Sequence, residues 1–339
     1  MNVFITGAAG FLGTAVTRAA LAAGHDVTAL VRRPPQSSDP WDRSEVGIIV
    51  GDLRRPVSWR EAVIRADVVV HLAAVTSGSI HDQFSGTVVS TESLLDVLAT
   101  LDNPPRLVHV STFSVYDYDA IPRGGRLDEG SRLVEEPHQR GAYCETKLLQ
   151  ERLVRRHAAD TGGELVVLRP GAVWGHGAWW DGGLAVAGRR FGLAFGPRSA
   201  MKSVYVENCA DAIVAALVEP DADGATINVV DDPQPTQTEF YVALRAVGVE
   251  LPRAIPVPYS VARAFAFVVN VVDRLLFGGG LRKPEFADAS RLAARYKPLR
   301  YPNAHCRHVL GWEPRFSLSD ACVRAVAVDP DSHGPKPQR

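Results

Sequence analysis

Residues Phe4 to Val16 read FITGAAGFLGTAV, in which an apolar run leads into three closely spaced glycines, Gly7, Gly10 and Gly13. Glycine permits a sharp turn between a strand and a helix, and it lets backbone N–H groups approach a bound anion. The N–H groups and the dipole at the start of the following helix favour a phosphate. The stretch therefore predicts a strand–turn–helix unit that binds a dinucleotide pyrophosphate, with the spacing GxxGxxG instead of the commoner GxGxxG.

Short apolar runs alternate with helical patterns through the first half of the chain. Six of these runs are typical of buried strands: NVFIT, DVTALV, GIIVGD, DVVVHLAA, RLVHVST and ELVVLRP. Helical spacing lies between most of them, as over Gly13–Ala23 and Thr87–Leu101. Strands that alternate with helices require right-handed crossovers and a parallel sheet covered on both faces. The expected fold class is α/β, a doubly wound parallel sheet of the Rossmann type with a smaller C-terminal substrate-binding region.

The domain prediction follows from the point at which this alternation loosens, after RPGAVWGHGAWWDGG. Residues 1–175 form the predicted nucleotide-binding domain, and residues 204–232 return to it. Residues 176–203 and 233–326 form the predicted substrate-binding region, where Trp179 and Trp180 either stack on a substrate ring or are buried. The polar, Pro-rich residues 327–339 predict a disordered tail.

The composition narrows the function classes. The 339 residues are 46% hydrophobic with a formal net charge of -1, which supplies a full core but no basic field for nucleic acid. The four cysteines have no metal-type spacing, so no metal site is expected, and they suit a reducing compartment. No signal-type segment precedes the first strand, so we expect a soluble, cytoplasmic protein.

The segment Val261–Phe277, VARAFAFVVNVVDRLLF, is the most apolar stretch of the second half. It is too short and too charged to span a bilayer. Such a helix could lie on a membrane or cap an apolar pocket. We expect an amphipathic helix that covers an apolar cavity or core.

The end of the second predicted strand indicates which dinucleotide binds. An acidic residue about 20 positions after the glycines would hold the ribose 2′-hydroxyl of NAD, but this chain has Arg32 and Arg33 there. Guanidinium groups bind a 2′-phosphate through charge-assisted hydrogen bonds. NADP is therefore the expected cofactor, with NAD as the alternative.

A candidate catalytic pair lies in YCETKLLQERL, where Tyr143 and Lys147 are four residues apart and share one helix face. An ammonium near a phenol favours the phenolate, so Lys147 is expected to lower the pKa of Tyr143. Three hydroxyls upstream, in VHVSTFSVYD, could hold the reacting oxygen at the carboxyl end of a strand: those of Ser111, Thr112 and Ser114.

These motifs, in this order, resemble the extended short-chain dehydrogenases/reductases over nearly the whole chain. The resemblance implies that Asp52 contacts the adenine and that the Pro170–Val173 backbone contacts the nicotinamide amide. The implied cofactor contacts are Gly7, Ala9, Gly10, Phe11, Leu12 and Gly13 in TGAAGFLG; Asp52 and Leu53 in GDL; Leu72, Ala73 and Ala74 in HLAA; Ser111; Tyr143 and Lys147; and Pro170, Gly171, Ala172 and Val173 in RPGAVWG.

The resemblance also implies catalytic roles. Counting back from Val115-Tyr116, the family's catalytic Ser/Thr falls on Thr112. By this resemblance Tyr143 is the acid/base, Lys147 tunes it and holds the nicotinamide ribose, and Thr112 binds the reacting oxygen. The helices around residues 87–101 and 143–157 correspond to the family's four-helix dimer interface, so a homodimer is expected.

Two positions depart from the nucleotide-sugar members of that family. Met201 stands where an arginine usually grips the substrate diphosphate, although Arg198 or Lys202 could substitute, and Gln83 stands where an asparagine is common. The last third looks more like the hydroxysteroid and dihydroflavonol-type reductases. The resemblance therefore implies a carbonyl/secondary alcohol oxidoreductase for a largely apolar small molecule. A nucleotide-sugar epimerase or dehydratase is the alternative, and a non-catalytic cofactor sensor is a third.

Overall fold

A computed structural model describes residues 1–35, 38–176, 178, 186–187, 190–278 and 285–327. Its strands are β1 (Asn2–Thr6), β2 (Asp26–Val31), β3 (Val46–Val50), β4 (Val68–His71), β5 (Arg106–Val110), β6 (Leu165–Pro170), β7 (Ala172–Trp174), β8 (Val186–Ala187), β9 (Phe191–Phe195), β10 (Ser203–Tyr205), β11 (Thr226–Val229) and β12 (Arg253–Val257). Seven of them form one sheet in the order β11-β6-β5-β4-β1-β2-β3, and every neighbouring pair is parallel. The doubly wound parallel sheet is confirmed.

Helices connect these strands and cover both faces of the sheet. They are α1 (Phe11–Ala22), α2 (Arg60–Ile64), α3 (Ile80–Phe84), α4 (Ser90–Leu98), α5 (Ala142–Thr161), α6 (Val206–Val218), α7 (Gln237–Ala246), α8 (Tyr259–Phe277), α9 (Ala289–Tyr296), α10 (Ala304–Leu310) and α11 (Leu318–Ala327). A π-helical turn at Ser85–Val89 joins α3 to α4, so the helical stretch begins at Ile80, earlier than the pattern predicted. None of the helices in the described part of the chain combines the length and apolarity that a bilayer span requires.

The central strands are buried because both of their faces are covered. Val3 and Ile5 pack with α1 and α6 on one face, whereas Phe4 packs with Trp59 and the α4 leucines on the other. The expectation that all six apolar runs are buried is wrong for β3, where Ile48 and Val50 are exposed. β3 pairs only with β2 and is the edge strand, so its outer positions have no covering layer.

The remaining strands belong to two smaller sheets in the C-terminal half. β10 pairs with β7, and β9 lies between β12 and β8. The run ATINVVD supplies β11, which joins the central sheet beside β6. Trp179, Trp180 and residues 328–339 lie outside the described residues, so the predictions made for them and the domain boundaries stay predictions.

Helix α8 only partly fits the expectation of a core-covering helix. Its inner side packs with α9 and β9, and the residues buried there are Tyr259, Ala262, Ala266 and Asp273. Most of its large apolar side chains instead face outward and are exposed. The expected burial is therefore limited to a narrow stripe, because the covering layer of α9 and β9 contacts one side of the helix.

Candidate active site

The glycine turn between β1 and α1 has the geometry of a pyrophosphate cradle. Gly7 adopts φ +72°, and a Cβ there would lie 2.9 Å from the backbone nitrogen of Ala73. A Cβ on Gly13 would lie 2.2 Å from the Gly7 carbonyl oxygen, so the helix packs against the turn at a distance that only glycine allows. α1 begins after Gly10 without a side-chain cap and without an acidic residue in its first turn. These features fit a dinucleotide phosphate at the positive end of α1.

The predicted contacts around this turn surround it on the carboxyl edge of the sheet. Ala9 and Gly10 are exposed, and Phe11 and Leu12 are partly buried at the start of α1. Leu72, Ala73 and Ala74 follow β4 directly and are also partly buried. The Ala73 N–H donates to the Thr6 hydroxyl over 3.2 Å, which fixes the segment after β4 against the end of β1. The structure thus brings together the two segments predicted to line the cofactor.

The segment after β3, predicted to contact the adenine, contains an arginine that the sequence prediction did not name, Arg54. Arg32 and Arg33 follow β2 and are exposed. The Asp52 carboxylate accepts hydrogen bonds from the Arg54 backbone and guanidinium. These bonds, opposed by partial burial, lower the pKa of Asp52 to about 2. Leu53 is buried in a core cluster with Phe4 and Trp59, and its predicted cofactor contact stays a prediction.

Thr112 and Tyr143 meet at the carboxyl end of β5. Against the larger effect of burial, the hydrogen-bonding influence of the Thr112 side chain lowers the pKa of Tyr143, so the two side chains are neighbours. The Thr112 oxygen also accepts from the Ser114 backbone N–H and hydroxyl, both at 3.2 Å. Because Thr112 accepts these two hydrogen bonds, its own hydroxyl proton is left to be donated. Thr112 therefore has the geometry expected of the oxygen-binding residue, and Ser114 positions it.

The expected lowering of the Tyr143 pKa is wrong in this structure. Burial raises the pKa of Tyr143, and the Thr112 hydrogen bond, rather than the Lys147 charge, opposes that increase. The physical reason is the direction of Lys147, whose ammonium donates to the Val110 carbonyl over 2.7 Å and to Gln150 Oε1 over 2.5 Å. Lys147 is buried, which lowers its pKa to about 7 against the opposing effect of Glu151.

A buried polar network holds Gln150, which in turn holds Lys147. Gln150 Nε2 lies 3.0 Å from both the Ala73 carbonyl and His71 Nε2, and it lies 2.8 Å from the Thr91 hydroxyl. The other ring nitrogen of His71 lies 2.8 Å from the Thr6 hydroxyl. Burial, with the charge of Lys147, lowers the pKa of His71 to about 3, so the ring is neutral at pH 7. The network connects the cofactor-facing segments after β1 and β4 to the catalytic helix.

Ser111 does not compete with Thr112, because its hydroxyl donates to Glu151 Oε2 over 2.6 Å in the interior. The predicted cofactor contact of Ser111 stays a prediction. Glu151 forms a buried ion pair with Arg169, whose Nη2 lies 2.5 Å from Oε1, and it also bonds Arg155. Burial opposes ionisation of Glu151, but Arg169, Ser111 and Arg155 outweigh it and lower the pKa of Glu151 to about 2.

The predicted nicotinamide segment, Pro170–Val173, lies where β6 leaves the sheet and β7 begins. The N–H groups of Gly171 and Ala172 donate to the carbonyls of Val229 and Lys202, so these two amides are already used. A nicotinamide contact by this segment would have to use its carbonyl groups or Val173.

Met201, which stands at the position of the diphosphate-gripping arginine, and its two possible substitutes, Arg198 and Lys202, differ in burial and in contacts. Met201 is buried in the main core, and Arg198 is exposed. Lys202 points inward, where its ammonium donates to the Ala294 carbonyl and lies 4.9 Å from the Tyr118 ring centre. Burial, with the charges of Arg140 and Arg295, lowers the pKa of Lys202 to about 7. Gln83 is buried and donates to the Gly78 carbonyl.

Sequence reasoning missed the polar residues behind the catalytic pair. Gln150 and Glu151 lie three and four residues after Lys147, a spacing that places them on the same helix face. His71 and Arg169 are polar positions at the ends of otherwise apolar strands. Those two signals, helical spacing and a polar residue in a buried strand, could have identified them. Cys144 packs with Val115 and Leu148.

Comparison with known proteins places this site in a family. Residues 3–230 match the NAD dependent epimerase/dehydratase family. A ketoreductase of Stigmatella aurantiaca that acts on a 4-hydroxy-2-methyl-3-oxo-4-farnesyl-3,4-dihydroquinoline-1-oxide is 28% identical over 353 residues, which cover 100% of both chains. A 3-beta-hydroxysteroid dehydrogenase of Mycolicibacterium neoaurum is 23% identical, with 96% of this chain and 90% of that protein covered.

The solved structures agree at the level of the fold. The UDP-glucuronic acid 4-epimerase of Bacillus cereus, solved with NAD, superposes with a TM-score of 0.70 at 19% sequence identity, over 96% of this chain and 95% of that one. The glycine cradle, the proximity of Thr112 to Tyr143 and the family match all support the same assignment. The chain belongs to the NAD dependent epimerase/dehydratase family and is an NAD(P)-dependent oxidoreductase of the extended short-chain dehydrogenase/reductase type.

Proposed function

We propose that this protein is an NADP(H)-dependent reductase that interconverts a carbonyl and a secondary alcohol on a largely apolar small molecule. The observation that supports it most directly is that Thr112, directly after β5, neighbours the Tyr143 side chain in a chain whose β1–α1 turn has the geometry of a pyrophosphate cradle. A bound nicotinamide supplies or accepts the hydride. The residues of this chain hold the reacting oxygen and move its proton.

Tyr143 is the proposed proton donor, and Thr112 orients the oxygen that receives the proton. Burial raises the pKa of Tyr143, so its phenol stays protonated at neutral pH. A protonated phenol can donate to the oxygen that develops from a carbonyl, which favours the reductive direction. Thr112 can donate to the same oxygen because Ser114 occupies its acceptor positions. The two groups thus stabilise the developing charge together.

Lys147 is the proposed ribose-binding residue, and Gln150 keeps it at the site. Lys147 lies about one helical turn after Tyr143 on α5. Its ammonium donates a hydrogen bond to the Val110 carbonyl at the end of β5. Gln150 accepts from Lys147 while it donates to the Ala73 carbonyl on the cofactor-facing segment. One hydrogen-bond network therefore connects the proposed cofactor contacts to the proposed catalytic residues.

The substrate class is inferred from the relatives and from the absence of the diphosphate-gripping arginine at position 201, although Arg198, one of its two possible substitutes, is exposed. Two relatives are named for farnesylated and steroid substrates, both largely apolar. At the position where nucleotide-sugar members usually have an arginine, Met201 is buried, and the adjacent Lys202 already donates to Ala294. An epimerase or dehydratase acting on a nucleotide sugar is therefore the second candidate, supported by the family and fold.

NADP is proposed over NAD because of the two arginines after β2. Arg32 and Arg33 are both exposed, and within the described residues neither is in an ion pair with an acidic group. They can therefore bind a 2′-phosphate without breaking an internal contact.

A substrate screen with NADPH tests the proposal. Purified protein is assayed against steroid ketones, long-chain β-ketones and UDP-sugars, with NADPH absorbance as the readout. We expect turnover of an apolar ketone, and a loss of kcat of about 100- to 10,000-fold in Tyr143→Phe. Tyr241→Phe is the matched control, since its hydroxyl bonds the Pro252 carbonyl away from the catalytic helix. Turnover of a UDP-sugar without net NADPH consumption would instead support the second candidate.

A further inference from the structure

The outer side of α8 exposes far more apolar surface than a helix in water normally does. Nine of its large apolar side chains are exposed, and the most exposed are Leu275 at 77%, Leu276 at 72% and Phe267 at 67%. Scattered single residues of this kind are common, but a contiguous apolar surface marks an interaction site. The whole helix lies within the described residues, so this count is complete for α8.

The exposed apolar residues are contiguous because of their spacing. With about 100° of rotation per residue, positions i, i+4, i+7, i+11 and i+14 share one helix face. Along α8 these positions are Val261, Phe265, Val268, Val272 and Leu275. All five are exposed, and they lie opposite the stripe that α9 and β9 cover. We call this exposed set the α8 outer face.

The exposed charges of α8 itself have one sign. The helix contains three charged residues, Arg263, Asp273 and Arg274. Asp273 is buried on the inner side of the helix. Arg263 and Arg274 are exposed and fall at the boundary between the buried and apolar faces. The helix therefore offers apolar side chains bordered by guanidinium groups, with no acidic group of its own on the exposed side.

We propose that the α8 outer face binds the surface of a membrane that contains anionic lipids. An amphipathic helix lies in such an interface with its apolar side among the acyl chains and its cations near the headgroups. A second copy of this chain is the other obvious partner, but a symmetric contact would bring the arginines of two α8 helices together without an acid from either helix to pair them. Charge complementarity therefore selects the anionic lipid surface.

The position of α8 gives this surface a consequence for the site. α8 packs on α9 through Leu292 and Tyr296, and α9 contacts the turn Pro137–Arg140 directly before the catalytic helix. Only one helix therefore separates the α8 outer face from the segment that precedes Tyr143. If the proposed function is right, an apolar substrate dissolved in the bilayer would have a short path to the enzyme.

Vesicle flotation tests the membrane proposal without using enzyme activity. The full-length protein is mixed with vesicles of phosphatidylcholine alone or of phosphatidylcholine and phosphatidylglycerol in equal parts. We expect binding to the anionic vesicles that weakens with added salt. The double variant Val268→Glu/Leu275→Glu should lower the partition coefficient by about tenfold or more. Val57→Glu, at an apolar residue that is 97% exposed elsewhere on the protein, is the matched control and should bind like wild type.

A second variant keeps the test decisive if the glutamates disturb folding. Arg263→Gln/Arg274→Gln retains every apolar side chain and should lower binding to anionic vesicles about tenfold or more, with little effect on neutral ones. Light scattering without lipid tests the alternative partner, a second copy of this chain, by measuring the oligomeric state of wild type and variants. If wild type does not float with anionic vesicles, or if the glutamate variant changes only the oligomeric state, the membrane proposal is wrong. Either result would leave the proposed reductase activity untouched.

Discussion

Replacing Lys147 by methionine should change how the stability of the protein depends on pH. Burial lowers the pKa of Lys147 from its ordinary value of 10.5 to about 7. Between these two values the unfolded chain binds a proton that the folded chain does not, so the free energy of unfolding rises with pH. Between pH 7 and pH 9, this difference in proton binding raises the free energy of unfolding by about 2 kcal/mol. Below pH 7 both states are protonated, and the contribution no longer changes.

Urea unfolding at pH 7 and pH 9 measures this contribution. Relative to Lys147→Met, wild type should gain about 2 kcal/mol between the two pH values. The pKa of Lys202 is also lowered to about 7. Because Lys202 is present in both proteins, its contribution to the pH dependence cancels when the two are compared. Arg152→Met, on the exposed side of the same helix, is the control and should follow wild type. Parallel pH dependences for wild type and Lys147→Met would show that Lys147 is not held in a buried environment, and the reasoning would fail.

Three further predictions concern the cofactor, the reacting oxygen and the buried ion pair. Arg32→Ala should weaken NADPH by about 10- to 100-fold in calorimetric titration while NADH changes little, and equal affinities of the parent protein for both would contradict the NADP assignment. Thr112→Val should lower kcat without changing the urea midpoint much, whereas Ser111→Ala should do the reverse because its hydroxyl bonds Glu151 in the interior. Arg169→Met should cost about 3–5 kcal/mol in urea unfolding by leaving the Glu151 carboxylate without its main partner, and a loss under 1 kcal/mol would mean that water reaches this pair.

The expected homodimer stays a prediction that light scattering can check. The helices proposed for its interface carry opposite charges on their exposed sides: Glu92 and Asp96 on α4, and Arg152 and Arg156 on α5. A chain that runs as a monomer at micromolar concentration would contradict it.

The sheet and the cradle could be predicted because their signals are local. Six apolar runs correspond to β1–β6 in order, and the glycines of FITGAAGFLG specify a close approach that leaves little choice of residue. β3 was wrongly expected to be buried because an edge strand and a central strand can have the same composition. Edge position depends on the strand order, which no short segment encodes.

Spacing was enough to propose the Tyr143–Lys147 pair, but it could not predict the electrostatics of the pair. Tyr143 and Lys147 are four apart on one helix, which sequence alone shows. The direction in which Lys147 points depends on Gln150 and the Val110 carbonyl, and these come together only in the folded protein. The pKa of Tyr143 is therefore raised in the folded protein, whereas the sequence predicted that Lys147 would lower it. The outward face of α8 was missed for a similar reason, since periodicity shows an apolar stripe but not whether another layer covers it.

Helix α5 contacts the central sheet on its inner side, and the turn before it contacts the C-terminal region. Its inner side is fixed to the sheet through Glu151, Arg169 and Gln150, whereas the turn before it meets α9 of the C-terminal region. Mutations in α8 and α9 can therefore reshape what reaches the phenol while the phenol itself keeps its place. For engineering of the proposed reductase, this divides the chain into a part to keep unchanged and a part in which substitutions can be screened for altered substrate choice.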